Sequence, residues 1–130
     1  MIALYPEKEQ IERLLADAAD GPVVMLNLLS FKERADAPDT GLTGQQAYQR
    51  YADEMVPLVQ RRGGRVIWTG RVDSQVIGGG ADGFQMAALV EYPSRKAFVE
   101  IAMSPEVAAI GVHRAAGLEG QWLIATTTRD

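Results

Sequence analysis

Between Gly21-Pro22 and Lys32 the chain reads VVMLNLLSF, an apolar run broken only by Asn27 and Ser30. Nine residues suit a strand and fall well short of the roughly 20 a membrane-spanning helix needs. Side chains alternate along a strand. Val23, Met25, Asn27, Leu29 and Phe31 therefore share one face, and Val24, Leu26, Leu28 and Ser30 share the other. Neither row is polar, so both faces must be covered. That cover also encloses the Asn27 amide, which costs ~1–3 kcal/mol if it finds no partner. Either a neighbouring backbone or side chain satisfies that amide, or it faces a cavity and binds a ligand or ordered water.

The flanking segments supply the cover. Pro6 opens a first helix whose positive end suits Glu7 and Glu9. Its inner stripe is Ile11, Leu14, Leu15 and Ala18, and Gly21-Pro22 stops it. Residues 32–42 are polar and rich in turn formers. Thr43 with Gln46 forms a capping box for a long helix to about residue 62. Tyr48, Tyr51, Ala52, Met55, Leu58 and Val59 make its inward stripe, and Pro57 is expected to kink or restart it. A second strand over 65–77 places Val66, Trp68, Gly70, Val72 and Val76 on one side. The turn GGGADG (78–83) joins it to a third strand over 84–92 as a hairpin. Ser94 caps a helix with Phe98 and Ile101, and Ser104-Pro105 starts another that reaches His113-Arg114. Gly117 ends it, and QWLIATT (121–127) is the last strand.

After the leading helix the order is strand, helix, strand, strand, helix, strand. This is the split βαββαβ of a ferredoxin-like α+β domain, with two helices on one face of a four-stranded antiparallel sheet. The expected organisation is one domain over 1–130, with a helical extension over 1–22 and the core over 23–127. Since the first strand has no polar row, the face away from the helices calls for a second copy, and a homodimer is expected.

Composition narrows the function. With a formal charge of −4, phosphate-driven nucleic-acid binding is not expected, and no run is suited to a membrane. The absence of cysteine removes disulfides, thiolate catalysis and zinc–thiolate sites. No ligand spacing suggests a metal. The N-terminus lacks a basic segment leading into an apolar one, so a cytoplasmic location is expected.

The remaining polar and aromatic groups are candidates for a site. Tyr48 and Tyr51 lie three apart on one helix face, either lining a pocket or filling the core with their hydroxyls toward water. His113, the single histidine, ends a helix beside Arg114. It suits a general base with an anion clamp, or a pair stabilising the helix C-terminus. Glu91, inside a strand, has Arg71 as a candidate partner. Trp68 serves as core or as a stacking wall. The readings converge on a pocket for a small, partly apolar organic molecule with an anionic or carbonyl group. Asn27 and Tyr48 orient it, and Tyr51, Phe31 and Trp68 wall it. Arg114 or Lys32 holds the negative end, and His113 moves a proton. The alternative is a non-catalytic ligand-binding or structural dimer module.

Four blocks carry a resemblance to a known family: VVMLNLLSFK, QAYQRYADEMVPLVQRRGGRVIWTGRV, ALVEYPSRKAFVEI and MSPEVAAIGVHRAAGLEGQWLIAT. Together they resemble the domain-of-unknown-function family DUF1330, of the dimeric α/β-barrel superfamily. The resemblance implies a ferredoxin-like fold whose dimer encloses a barrel, with a pocket between sheet and helices. The superfamily includes cofactor-independent oxygenases, heme-binding enzymes, lactone isomerases and ligand-binding regulators, so a cofactor-independent monooxygenase or isomerase is the implied class. Its heme-degrading members bring together an Asn, a Trp and a His. Asn27, Trp68 and His113 match that trio in type but not in placement, since Trp68 falls on the second strand; no cofactor is expected, with heme the alternative that the resemblance suggests.

Overall fold

The computed structural model describes residues 2–17 and 21–129. Helix α1 (Lys8–Ala16) leads into β1 (Val23–Phe31), followed by α2 (Gly44–Arg61), β2 (Arg65–Arg71) and β3 (Met86–Tyr92). Helices α3 (Arg95–Ala102) and α4 (Pro105–Gly117) precede the last strand, β4 (Leu118–Thr126). Ala18, assigned above to the stripe of the first helix, lies outside the described residues. The sheet order is β2-β3-β1-β4, with every pairing antiparallel. This is the ferredoxin-like α+β arrangement expected from the element order. Among the described residues no helix is long and apolar enough to cross a membrane.

Local chemistry explains the elements. Thr43 caps α2 by accepting from Gln46 N–H at 3.1 Å, while the Gln46 side chain accepts from Thr43 N–H at 2.9 Å. Ser94 and Ser104 cap α3 and α4 in the same manner, accepting from Ala97 and Val107 N–H. Helix α2 runs unbroken through Pro57, so the proline does not restart it.

One face of β1 packs under the helices. Val23 and Met25 join Leu58 and Val59 of α2, Ile101 of α3 and Tyr92 of β3 in the buried core. Helices α2 and α4 cross with their backbones in contact. A methyl group on Gly117 would collide with the Gly44 carbonyl and come within 2.9 Å of Tyr48 N. Hydrogen bonds from Lys32 N–H to the Gly117 carbonyl (2.8 Å) and from Gly44 N–H to the Lys32 carbonyl (3.0 Å) tie the end of β1 to both helices.

None of the described helices lies on the other face. Trp68, Leu89, Leu26 and Ile124 stand in register across all four strands as a continuous apolar row, with Trp68 52% and Ile124 45% exposed.

Three expectations need correction. Strand β2 stops at Arg71, and residues 72–85 form an arm on which Val76 and Ile77 are 88% and 90% exposed. A bulge between Val66 and Trp68 reverses the alternation within β2. Val66 therefore faces the helices and Trp68 the open side, although the two residues were expected to share a face. Glu91 pairs with Arg65 at 3.1 Å and not with Arg71, because the register sets Arg65 opposite Glu91 and Arg71 opposite Met86. Arg71 bonds Asp73 on the arm instead.

Candidate functional site

A cavity of about 120 Å³ lies between α2 and the helix-facing side of the sheet. Its position follows from side-chain size. Beyond the tightly packed Val23 and Met25, the register sets Asn27 opposite Ala88, and α2 presents Ala52 over them. These short side chains leave space that Leu29, Met55, Met86 and Val90 surround without filling. Asn27, Tyr48, Tyr51, Thr69, Tyr92, Arg114 and Gln121 bring polar atoms to the lining.

Those polar groups form a relay at one end. The Arg114 Nη2 donates to the Leu4 carbonyl and, at 2.7 Å, to Gln121 Oε1. Gln121 Nε2 donates to Asn27 Oδ1 at 2.8 Å, and Asn27 Nδ2 donates to the Met25 carbonyl at 3.2 Å. The amide inside the apolar strand is thus satisfied by protein groups. Gln121 is also where the N-terminal segment docks, its N–H bonding the Ala3 carbonyl at 2.7 Å. The Tyr5 ring lies 5.5 Å from the Arg114 guanidinium, a cation–π distance.

Arg114 is the one formally charged side chain in the lining, and no carboxylate among the described residues pairs with it. Two phenols stand near it. The Tyr48 and Tyr51 rings are 5.4 Å apart. Burial pushes the Tyr48 hydroxyl well above its ordinary range, the neighbouring Tyr51 adds to that, and Arg114 opposes both. Tyr51 is raised by burial with Arg114 again opposing, and Tyr92 is raised by burial and then by the other two tyrosines. The site therefore offers one fixed positive charge and phenols that remain protonated donors.

Four of the expected site residues stand elsewhere. His113 points away from the cavity: its Nδ1 lies 2.7 Å from Asp39 Oδ2. Arg50 Nη1 donates to the other Asp39 oxygen at 2.9 Å. The Asp39 side chain has no exposed surface, so one carboxylate clasps the 32–42 loop to α2 and α4. Lys32 bonds Asp36 and the Ala115 carbonyl. Phe31 stands edge-on against Tyr48, with ring centres 5.6 Å apart, behind the cavity wall. Trp68 is carried to the open face by the bulge. Asn27, Tyr48, Tyr51 and Arg114 do come together. Sequence reasoning missed Gln121, Thr69 and Tyr92 on the lining and Asp39 beneath His113. Gln121 opens the last apolar run, but only the strand register reveals that it reaches Asn27.

A larger groove of about 320 Å³ lies at the edge of the molecule, lined by Ile2, Phe84, Trp122 and residues 80, 82 and 83. It is shallow and offers the Asp82 carboxylate without converging donors. The cavity under α2 is the less open of the two and brings the polar groups together, so it is the better candidate despite its smaller size.

The family model described as "Domain of unknown function (DUF1330)" matches residues 39–128. None of the curated proteins matches the chain significantly. The crystal structure of RPA0582, a protein of unknown function from Rhodopseudomonas palustris, is 33% identical with a TM-score of 0.89. The match covers 100% of this chain and 99% of that one. A dimeric ferredoxin-like protein of unknown function from Jannaschia sp. CCS1 is 12% identical, with a TM-score of 0.57 over 83% of this chain and all of that one. SnoaB, a cofactor-independent oxygenase from Streptomyces nogalater, is also 12% identical, with a TM-score of 0.53 over 86% of this chain and 96% of that one. The last two likenesses are of fold alone.

Proposed function

The chain belongs to the DUF1330 family, and on that premise we propose that it is a homodimer whose subunits each bind a small, partly apolar organic molecule in the cavity under α2. The observation that carries this reading is Arg114, a half-buried guanidinium on a cavity lined otherwise by uncharged residues, with no carboxylate partner among the described residues. A charge in that position is best compensated by the ligand, through an anionic or strongly polarised carbonyl oxygen. Tyr48 supplies a second donor.

The dimer reading rests on the uncovered row Trp68–Leu89–Leu26–Ile124 and on the description of the Jannaschia protein as dimeric. An apolar row that crosses the whole sheet is what a two-fold partner would bury.

The reaction class we favour is cofactor-independent oxygenation or isomerisation, the former being the class given for SnoaB. Arg114 favours the ionised form of a bound acid, enol or phenol, whose proton passes to solvent, and an enolate or phenolate is itself the electron donor to dioxygen. His113 lies away from the cavity on Asp39 and moves no proton there. A second reading, a binding module without catalysis, draws support from one observation: no carboxylate or imidazole among the described residues lines the cavity.

Light scattering of the purified chain tests the assembly: a dimer that Trp68→Asp with Ile124→Asp converts to folded monomer is expected, and a monomeric parent protein refutes it. A thermal-shift screen of small organic acids and carbonyl compounds tests the site. Hits abolished by Arg114→Gln, but retained in His113→Gln, support it; hits indifferent to Arg114→Gln refute it. Turnover of a hit under dioxygen, or rearrangement without it, separates enzyme from binding module.

A further inference from the structure

We infer that the cavity selects a short-chain monocarboxylate of about five to seven non-hydrogen atoms, an assignment that rests on the ligand-binding reading above. Charge, donor geometry and size each contribute. Among the described residues the lining holds one positive group and no negative one, so a single anionic charge is balanced there. A dianion would bury a surplus charge, and a cation would face Arg114 directly. The described bonds of Arg114 both leave from Nη2, to the Leu4 carbonyl and to Gln121 Oε1. Nε and Nη1 remain as donors on a guanidinium already held in place by those bonds and by the Tyr5 ring. A planar carboxylate meets such donors with one oxygen, and the Tyr48 or Tyr51 hydroxyl is available to the other.

The apolar remainder sets the size. Met55, Met86, Val90 and Ala88 give the body of the ligand a hydrocarbon surface. At about 120 Å³ the cavity is slightly smaller than an engineered apolar cavity of ~150 Å³ that accepts benzene. Branched acids of four or five carbons fit that volume; long-chain fatty acids do not.

Calorimetric and thermal-shift titrations of the full chain test this with isovalerate, with isovaleramide and isobutylamine of similar branched shape, with malonate as the dianion and with octanoate as the long chain. Isovalerate is expected to bind, with the amide, the amine and the dianion weaker by roughly tenfold or more, the loss expected for a charge-assisted bond. Octanoate is expected to be excluded until Met55→Ala enlarges the cavity. In Arg114→Gln the preference for acid over amide is expected to disappear. Acid and amide binding equally to the parent protein overturns the carboxylate assignment while leaving a ligand cavity in place. Tighter binding of malonate or of the amine overturns it likewise. Failure of every probe, neutral ones included, overturns both this assignment and the ligand-binding reading. The comparison among probes uses the parent chain alone, so it stands even if the arginine variant folds poorly.

Discussion

Replacing Asp39 by alanine puts the clasp between the 32–42 loop and the two helices to a quantitative test. The carboxylate is wholly buried and accepts charge-assisted bonds at 2.9 Å from Arg50 and 2.7 Å from His113. Each such bond is worth about 1.5–3 kcal/mol. The full loss is not expected, because the partners are not sealed in: the Arg50 side chain is 56% and the His113 side chain 24% exposed, so both rehydrate when the carboxylate goes. The net cost of Asp39→Ala is therefore about 2–4 kcal/mol, below the roughly 3–5 typical when a stranded charge stays buried. For a chain of this length that lowers Tm by roughly 10 °C. Asp39→Asn keeps the shape, with its oxygen facing Arg50 and its amide nitrogen facing His113, and is expected to lose about half as much. Asp36→Ala removes an exposed pair with Lys32 and is the control, at ~0.5 kcal/mol or less. The assay is chemical denaturation of the three variants, with a double-mutant cycle against His113→Ala. An alanine variant no less stable than the Asp36 control, or a cycle with no coupling, would refute the assignment of Asp39 as the clasp.

Two other outcomes follow from the packing. Gly117→Ala forces a methyl group against the Gly44 carbonyl and is expected to cost at least about 1–3 kcal/mol, measured by urea denaturation; a neutral result would mean that α2 and α4 do not touch. For the tyrosines, folded-state values raised above the ordinary 10.0 mean that the native fold favours the protonated phenol. The associated stability is complete below pH 10 and is lost as pH climbs through the folded-state values. Phenolate absorbance should therefore show Tyr48, Tyr51 and Tyr92 ionising together with alkaline unfolding. Normal titration of all the tyrosines in a protein that remains folded would contradict their burial.

The fold was legible because its signals are local. Thr43 with Gln46, Ser94, and Ser104-Pro105 each mark a helix start through a bond to a residue three positions away, and all three helices begin there. The double apolar face of Val23–Phe31 likewise identified the central strand. The bulge in β2 is different, since nothing in RVIWTGR marks where one residue drops out of the ladder. One missed residue moved Trp68 from the pocket wall to the open face. The site divides along the same line. Tyr48 and Tyr51 were readable as a pair from helix periodicity, and Asn27 as a polar residue in an apolar strand. Gln121 and Asp39 became significant only through partners 94 and 74 residues away in sequence. His113 looked free to exchange protons because its partner sits in a loop that resembles a solvated turn.

The glycine contact between α2 and α4 also bears on how proteins of this kind diversify. Two main chains meeting without intervening side chains fix the angle between the helices independently of what fills the space beneath them. Exchanges at Ala52, Met55 or Val56 would then remodel the chamber without redirecting its roof. The frame and the lining of the chamber are thereby set by different residues, so a likeness of backbone carries no information about the chamber's shape.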